Sequence, residues 1–208
     1  MDGKTNMSVK IICPYINDNE INQLKNKLWN LPVYFEKDHA RIGSDMMYQK
    51  LWNKFSDDDI FIMHADMFPL EEDDYNEWFE TLLEYVQKYQ DARMFGCIIL
   101  YPAKDENGLF YIQSAGGQFT DGVPDHFGSG LSLETSGKFK EELLLDEGQF
   151  DCVREVAWTT FGGIYIRRDV FDKIGNFSAG YEWTYNRDVD YCLRAREAGF
   201  KIYQVPVK

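Results

Sequence analysis

The chain has 208 residues, 44% of them hydrophobic and 16% aromatic, and its 35 acidic against 22 basic side chains leave a formal net charge of −13. A chain of this length buries roughly 70% of the surface it exposes when unfolded, and so many large apolar groups exclude an acidic disordered segment. The charge argues against nucleic acid binding over most of the surface. A bound phosphate then needs a local reversal of the field, which a divalent cation on carboxylates supplies.

Cys13, Cys97, Cys152 and Cys192 are widely spaced, with no CxxC pair; this argues against structural zinc and reads as reduced, mostly buried thiols. The N-terminal MDGKTNMSVK lacks the apolar stretch of a signal peptide, and no apolar run approaches the roughly 20 residues of a membrane span. A soluble, cytoplasmic protein without a transmembrane segment is the expectation.

Over residues 1–100 short apolar runs alternate with helical patterns, the signature of βαβ units and a largely parallel sheet. Val9 to Cys13 reads as a strand stopped by Pro14. Asn17 or Asp18 can cap a helix whose Ile21, Leu24 and Leu28 form one apolar stripe. Val33 to Phe35 is a second strand, Gly43 to Phe55 a helix, and Ile60 to Met63 a third strand ending at His64-Ala65-Asp66. Tyr75 to Tyr89 is amphipathic through Trp78, Phe79, Leu82, Leu83 and Val86, and leads into a buried-looking strand from Met94 to Leu100.

From Tyr101 to Glu155 seven glycines between Gly108 and Gly137 interrupt short strand-like pieces such as Leu109 to Gln113, so a loop-rich region over a site is expected. Order returns over Val156 to Ile166, then a helix from Arg168 to Ile174 stopped by Gly175. A last helix spans Arg187 to Ala198, with Asn186 as cap and Gly199 as stop, before a closing strand Ile202 to Val207.

Three segments can carry chemistry. An acid just after an apolar strand of a parallel sheet points into the crevice where such sheets bind ligands, so Asp66 is a hard oxygen donor for Mg²⁺ or Mn²⁺ and His64 a nitrogen that suits Mn²⁺; equally, Asp66 caps a turn and His64 packs at a strand end. Asp188 lies in the first turn of the last helix, where a general base can be held at a cleft; the acids there, with Arg194 and Arg196 later, also make plain helix electrostatics. In Trp158-Thr159-Thr160-Phe161-Gly162-Gly163, paired glycines let backbone approach a ligand, and Trp158 suits a sugar face or the core. No dinucleotide or P-loop fingerprint is present.

The order of these parts, with Gly-Gly-Ile-Tyr-Ile-Arg-Arg at 162–168 and Arg-Asp-Val-Asp-Tyr-Cys-Leu-Arg at 187–194, resembles a family 2 glycosyltransferase of the GT-A fold, most specifically from Phe161 to Pro206. The resemblance implies an α/β fold with a Rossmann-like, mostly parallel central sheet flanked by helices, in one domain. Residues 1–100 would be its nucleotide-sugar half and residues 101–208 its loop-rich acceptor half. The chain would be part of a longer protein, with further domains of the same polypeptide as possible partners.

It also implies residue roles. Asp66 matches the last acid of the DxD-type motif that holds Mn²⁺ or Mg²⁺ against the donor diphosphate, and His64 stands where that motif has its first acid. Asp188 matches the general base of the family's "ED" pair, and Arg187 takes the place of the glutamate. Pro14, Tyr15 and Asp38 fall where the family lines its base and ribose pocket, with Arg41 and Gly43 following; Gly163 adds a backbone contact. His126 falls in the loop-rich part, as a group for metal or acceptor or as a surface histidine. The expected function is metal-dependent, inverting transfer of a sugar from a nucleotide-diphosphate sugar, UDP-linked by preference, to a hydroxyl of a glycan acceptor. The rival expectations are a non-catalytic nucleotide-sugar-binding module and a sugar nucleotidyltransferase.

Overall fold

The computed structural model describes residues 8–28, 30–70, 76–133, 139–178 and 187–208. In chain order the elements begin β1 (Val9–Tyr15), α1 (Asp18–Lys27), β2 (Val33–Lys37), α2 (Ser44–Lys54), β3 (Asp59–Ile62), α3 (Glu77–Lys88), β4 (Ala92–Cys97) and β5 (Ile99–Lys104). They continue β6 (Phe110–Ser114), β7 (Gly117–Thr120), β8 (Val123–His126), β9 (Ser129–Leu133), β10 (Phe139–Leu143) and β11 (Arg154–Glu155). A 3-10 turn (Phe161–Gly163), β12 (Ile164–Ile166), α4 (Arg168–Ile174), α5 (Arg187–Glu197) and β13 (Lys201–Val205) complete them.

Seven strands form the central sheet in the order β11-β13-β4-β12-β3-β1-β2. Pairs β1–β2, β1–β3 and β4–β13 are parallel, whereas β12 runs antiparallel to both β3 and β4, and β11 antiparallel to β13. Alternation of side chains along each strand, with its period of two, divides the core. Ile11, Cys13, Phe61, Met63, Phe95 and Tyr165 face α1 and α3. Ile12, Ile60, Ile62, Met94, Ile164 and Ile166 face α2, α4 and α5. The expected α/β sandwich of a mostly parallel sheet between helical layers is what the chain forms.

Local signals explain the helices. Asn17 caps α1 by accepting from the Asn19 N–H at 3.0 Å, and α3 buries Trp78, Phe79, Leu82 and Val86 with Glu77 and Glu80 in its first turn. The expected cap of α5, Asn186, lies outside the described residues. Cys13, Cys97 and Cys192 are buried free thiols, pushed by burial up to about 12, while Cys152 is exposed.

Three expectations are corrected. The run from Met94 to Leu100 is not one strand: β4 ends at Cys97, and β5 leaves the central sheet to pair with β6. The region after Tyr101 is more regular than its glycines suggest, because β5–β6, β7–β8 and β9–β10 each form a two-stranded antiparallel pair. Within Val156 to Ile166, only Ile164–Ile166 is a strand of the sheet, entered through the 3-10 turn.

Candidate functional site

Because β12 is reversed, its amino end, carrying Phe161–Gly163, lies at the same rim as the carboxyl ends of β3 and β4. A cleft of about 990 Å³ opens there, and His64, Asp66, His126, Gly163, Arg187 and Asp188 all line it. The topology thus gathers side chains from residues 64 to 188 into one cavity, at the place where open α/β sheets bind ligands.

His64 and Asp66 follow β3, and both present exposed surface to the cleft. His64 lies parallel to Tyr48, ring centroids 6.2 Å apart. Burial between the crowding walls pushes its imidazole below its ordinary pKa and so favours the neutral ring and its lone pair, against the opposing pull of the Asp66 charge. Across the cleft, a Cβ on Gly162 would stand 3.0 Å from Met67 Sδ and 3.5 Å from His64 Nδ1, and one on Gly163 would stand 3.0 Å from Ile99 Cδ1. The paired glycines therefore admit these neighbours as well as any ligand.

Asp188 opens α5 and is largely enclosed. Burial raises its carboxyl pKa, and this outweighs the lowering by N–H bonds, which come from Val189 at 2.9 Å and from Phe161. Beneath it lies an aromatic cluster: Phe161 and Phe177 rings are 4.8 Å apart, Phe177 and Tyr191 4.8 Å, Trp52 and Phe177 5.5 Å, and Trp52 and Phe171 4.7 Å. The second acid of the helix, Asp190, is engaged elsewhere: it accepts from Arg194 at 3.0 Å and Ser178 at 2.7 Å. The two carboxylates thus have different surroundings.

His126 turns Nδ1 toward the buried Ser114 hydroxyl at 3.0 Å and packs edge-on against Trp158 at 4.5 Å. Trp158 is 2% exposed and donates its Nε1 to the Gln118 carbonyl at 3.0 Å, so it is a core residue and offers no face to a sugar.

Pro14, Tyr15, Asp38, Arg41 and Gly43 are not among the cleft-lining residues. They meet at the neighbouring carboxyl ends of β1 and β2, where Pro14 pairs with Glu36, Tyr15 with Lys37, and the Asp38 N–H bonds the Tyr15 carbonyl at 2.8 Å. Burial pulls the Asp38 pKa upward, but N–H bonds from Gly43 at 2.9 Å, Ile42 at 3.0 Å and also Arg41 hold it below its ordinary value. Its carboxylate thus organises the 38–43 turn, in which Arg41 and Gly43 take φ values of 51° and 90°, the second costing a glycine little.

Sequence reasoning missed two cleft cations, Lys27 and Lys208; nothing in the sequence marks them, since only the topology brings positions 27 and 208 to this cavity. Lys208 is held by Asp146 at 2.6 Å and Asp151 at 2.9 Å, and Lys27 sits 5.2 Å over the Phe68 ring. With Arg187, the cleft gathers three cations in a chain of net charge −13, set against Asp66 and Asp188 in the same lining and the two carboxylates that hold Lys208. Among the described residues no group of three or more His, Cys, Asp or Glu side chains converges as a metal cage, and no helix is long and apolar enough to cross a membrane.

No family model matches the sequence, and no curated protein sequence matches it. Solved structures match by fold. The crystal structure of A197 from STIV is similar over 96% of this chain and 82% of its own, with a TM-score of 0.52 at 11% identity. The crystal structure of GalNAc-T7 with UDP, GalNAc and Mn2+ is similar over 98% of this chain with a TM-score of 0.58 at 13% identity, and this chain spans 43% of its length. At such identities the likeness carries the architecture: the chain has a GT-A-like α/β fold.

Proposed function

We propose that the chain is a glycosyltransferase of the family 2 type, which moves a sugar with inversion from a nucleotide-diphosphate sugar, UDP-linked first, to a hydroxyl of a glycan acceptor. The observation that carries this reading is Asp188: an enclosed carboxyl with a raised pKa, sharing one cleft with the His64–Asp66 pair. A base poised above the ordinary carboxylate range suits deprotonation of a hydroxyl as it attacks. The fold likeness to a transferase solved with UDP and Mn2+ supports the same direction.

The residues fit a divalent cation. Asp66 supplies oxygen and the neutral-leaning His64 nitrogen, and Mg²⁺ or Mn²⁺ sites of this kind use one or two side chains, with substrate phosphates and water completing the shell. When bound, the ion would supply charge neutralisation at the leaving diphosphate. The rest falls to the chain. Asp188 accepts the acceptor's proton as the new C–O bond forms and the donor's bond to its diphosphate breaks, a single displacement that inverts the anomeric carbon. Pro14, Tyr15, Asp38, Arg41 and Gly43 would hold the nucleoside at the β1–β2 rim, and Gly163 would approach the donor through its backbone.

The test is a thermal-shift screen over UDP-, GDP- and dTDP-sugars with and without Mn²⁺, since a ligand that binds only the folded state stabilises it by mass action. A shift for uridine nucleotides that Mn²⁺ strengthens supports the proposal; no shift with any nucleotide overturns it. Retention of configuration in the product would overturn the single displacement.

A further inference from the structure

Of the described residues, three tyrosines are buried to 4% exposure or less, and two of them use their hydroxyls inside the fold. Tyr165 donates to Asp59 at 2.5 Å, and Tyr191 to the Gly175 carbonyl at 3.3 Å. Tyr48 differs. Among the described residues nothing hydrogen-bonds its hydroxyl, and its oxygen is not sealed in the core; the residue lines the cleft. Its ring is fixed, stacked on His64 at 6.2 Å and edge-on to Phe177 at 6.5 Å. Burial raises its pKa, with Cys13 and Asp66 adding to the rise, so the hydroxyl lies within electrostatic reach of the Asp66 carboxylate and stays protonated. A phenylalanine would fill the same space against the same rings. The oxygen therefore answers to something that enters the cleft, since a polar group set among buried rings weakens a fold unless it is bonded.

Position decides what that is. α2 leaves the 38–43 turn at Ser44, and Ser44 and Tyr48, one helical turn apart, both line the cleft. This face of α2 leads from the β1–β2 rim, where the nucleoside would sit, to the His64–Asp66 pair, where a cation would meet the donor phosphates. We infer that the Tyr48 hydroxyl is a further donor-binding group, which donates a hydrogen bond to an oxygen of the nucleotide's diphosphate. This rests on the function proposed above. A neutral hydroxyl suits the place, because it bonds an anion strongly without competing with the cation for Asp66.

The experiment compares wild type, Tyr48→Phe and Tyr165→Phe. Uridine, pyrophosphate, UDP and UDP-glucose are titrated in the presence of Mn²⁺ by calorimetry, and the melting temperature is read without ligand. Tyr48→Phe should weaken UDP, pyrophosphate and UDP-glucose by a similar factor, roughly tenfold to a hundredfold, the range of a hydrogen bond to a charged group. It should leave uridine unchanged and melt no lower than wild type. Tyr165→Phe should do the reverse, lowering the melting temperature by stripping Asp59 of a partner and leaving UDP affinity unchanged.

Unchanged UDP affinity in Tyr48→Phe overturns the inference, whatever its melting temperature. So does an equal loss for uridine and UDP, or a loss confined to UDP-glucose, which would move the hydroxyl to the nucleoside or to the sugar. If wild type itself binds neither UDP nor pyrophosphate with Mn²⁺, the proposed function fails and the inference falls with it.

Discussion

At Asp188 two opposing effects act on one carboxyl group: burial disfavours the charge, and N–H groups of Val189 and Phe161 favour it. Burial wins, and the sign has consequences. The folded state binds the proton more tightly than the unfolded chain, so stability is fullest below the ordinary value of 3.8, falls as pH rises toward the folded-state value, and is constant above it. Asp188→Asn should therefore raise the melting temperature at pH 7 relative to wild type, with the gain vanishing near pH 3, while kcat falls roughly 10²- to 10⁴-fold, the usual contribution of a general base. Calorimetry at the two pH values and a rate profile check both; the acidic limb of kcat/KM should lie above the ordinary carboxylate range. The candidacy of Asp188 was legible from its place at a helix start. Its enclosure was not, because Phe161, which bonds it, and the rest of the cleft lining come from distant parts of the chain. For Asp38 the position at a strand end was legible, but its part in building the 38–43 turn, through the N–H groups of Ile42 and Gly43, was not.

Among the elements, α5 shows how a structural pair keeps a functional helix in place. Arg194 bonds Asp190 on its own helix, the Ile174 carbonyl at 3.1 Å and the Asn176 carbonyl at 3.0 Å, tying α5 to the end of α4. Arg194→Ala should cost about 1–3 kcal/mol, since it leaves charged and carbonyl partners unmet; the urea midpoint should drop, and the Mn²⁺ dependence of ligand binding should not change. The helices and parallel strands were legible because their apolar periods run long and clean. The β7–β8 hairpin was overlooked although it carried a signal. Asp121-Gly122, with φ of 51° and 80°, is the Asp-Gly dipeptide that favours a two-residue primed turn. The flanking Gly-Gln-Phe-Thr and Val-Pro-Asp-His do not alternate clearly, which hid the strands.

For the whole molecule, the charge of −13 sets the background against which the cleft works. Composition implies that positive charge for a phosphate comes from a bound cation, and the fold adds Lys27, Arg187 and Lys208 to the same cavity as Asp66. Chelation with EDTA should then weaken UDP binding by tenfold or more without abolishing it, and Asp66→Asn should mimic chelation; titration calorimetry at fixed ionic strength reads both. This arrangement could not be seen in the chain, because positions 27, 187 and 208 meet only once the sheet order is known. One last feature concerns Phe161, whose backbone N–H reaches Asp188 while its ring belongs to the cluster of Trp52, Phe177 and Tyr191. The position of Asp188 therefore depends on the ring volume behind the Phe161 N–H as well as on the hydrogen bonds themselves. Trimming a ring behind the cleft wall, as in Phe177→Leu, should detune turnover through misalignment while leaving its response to ionic strength as it was.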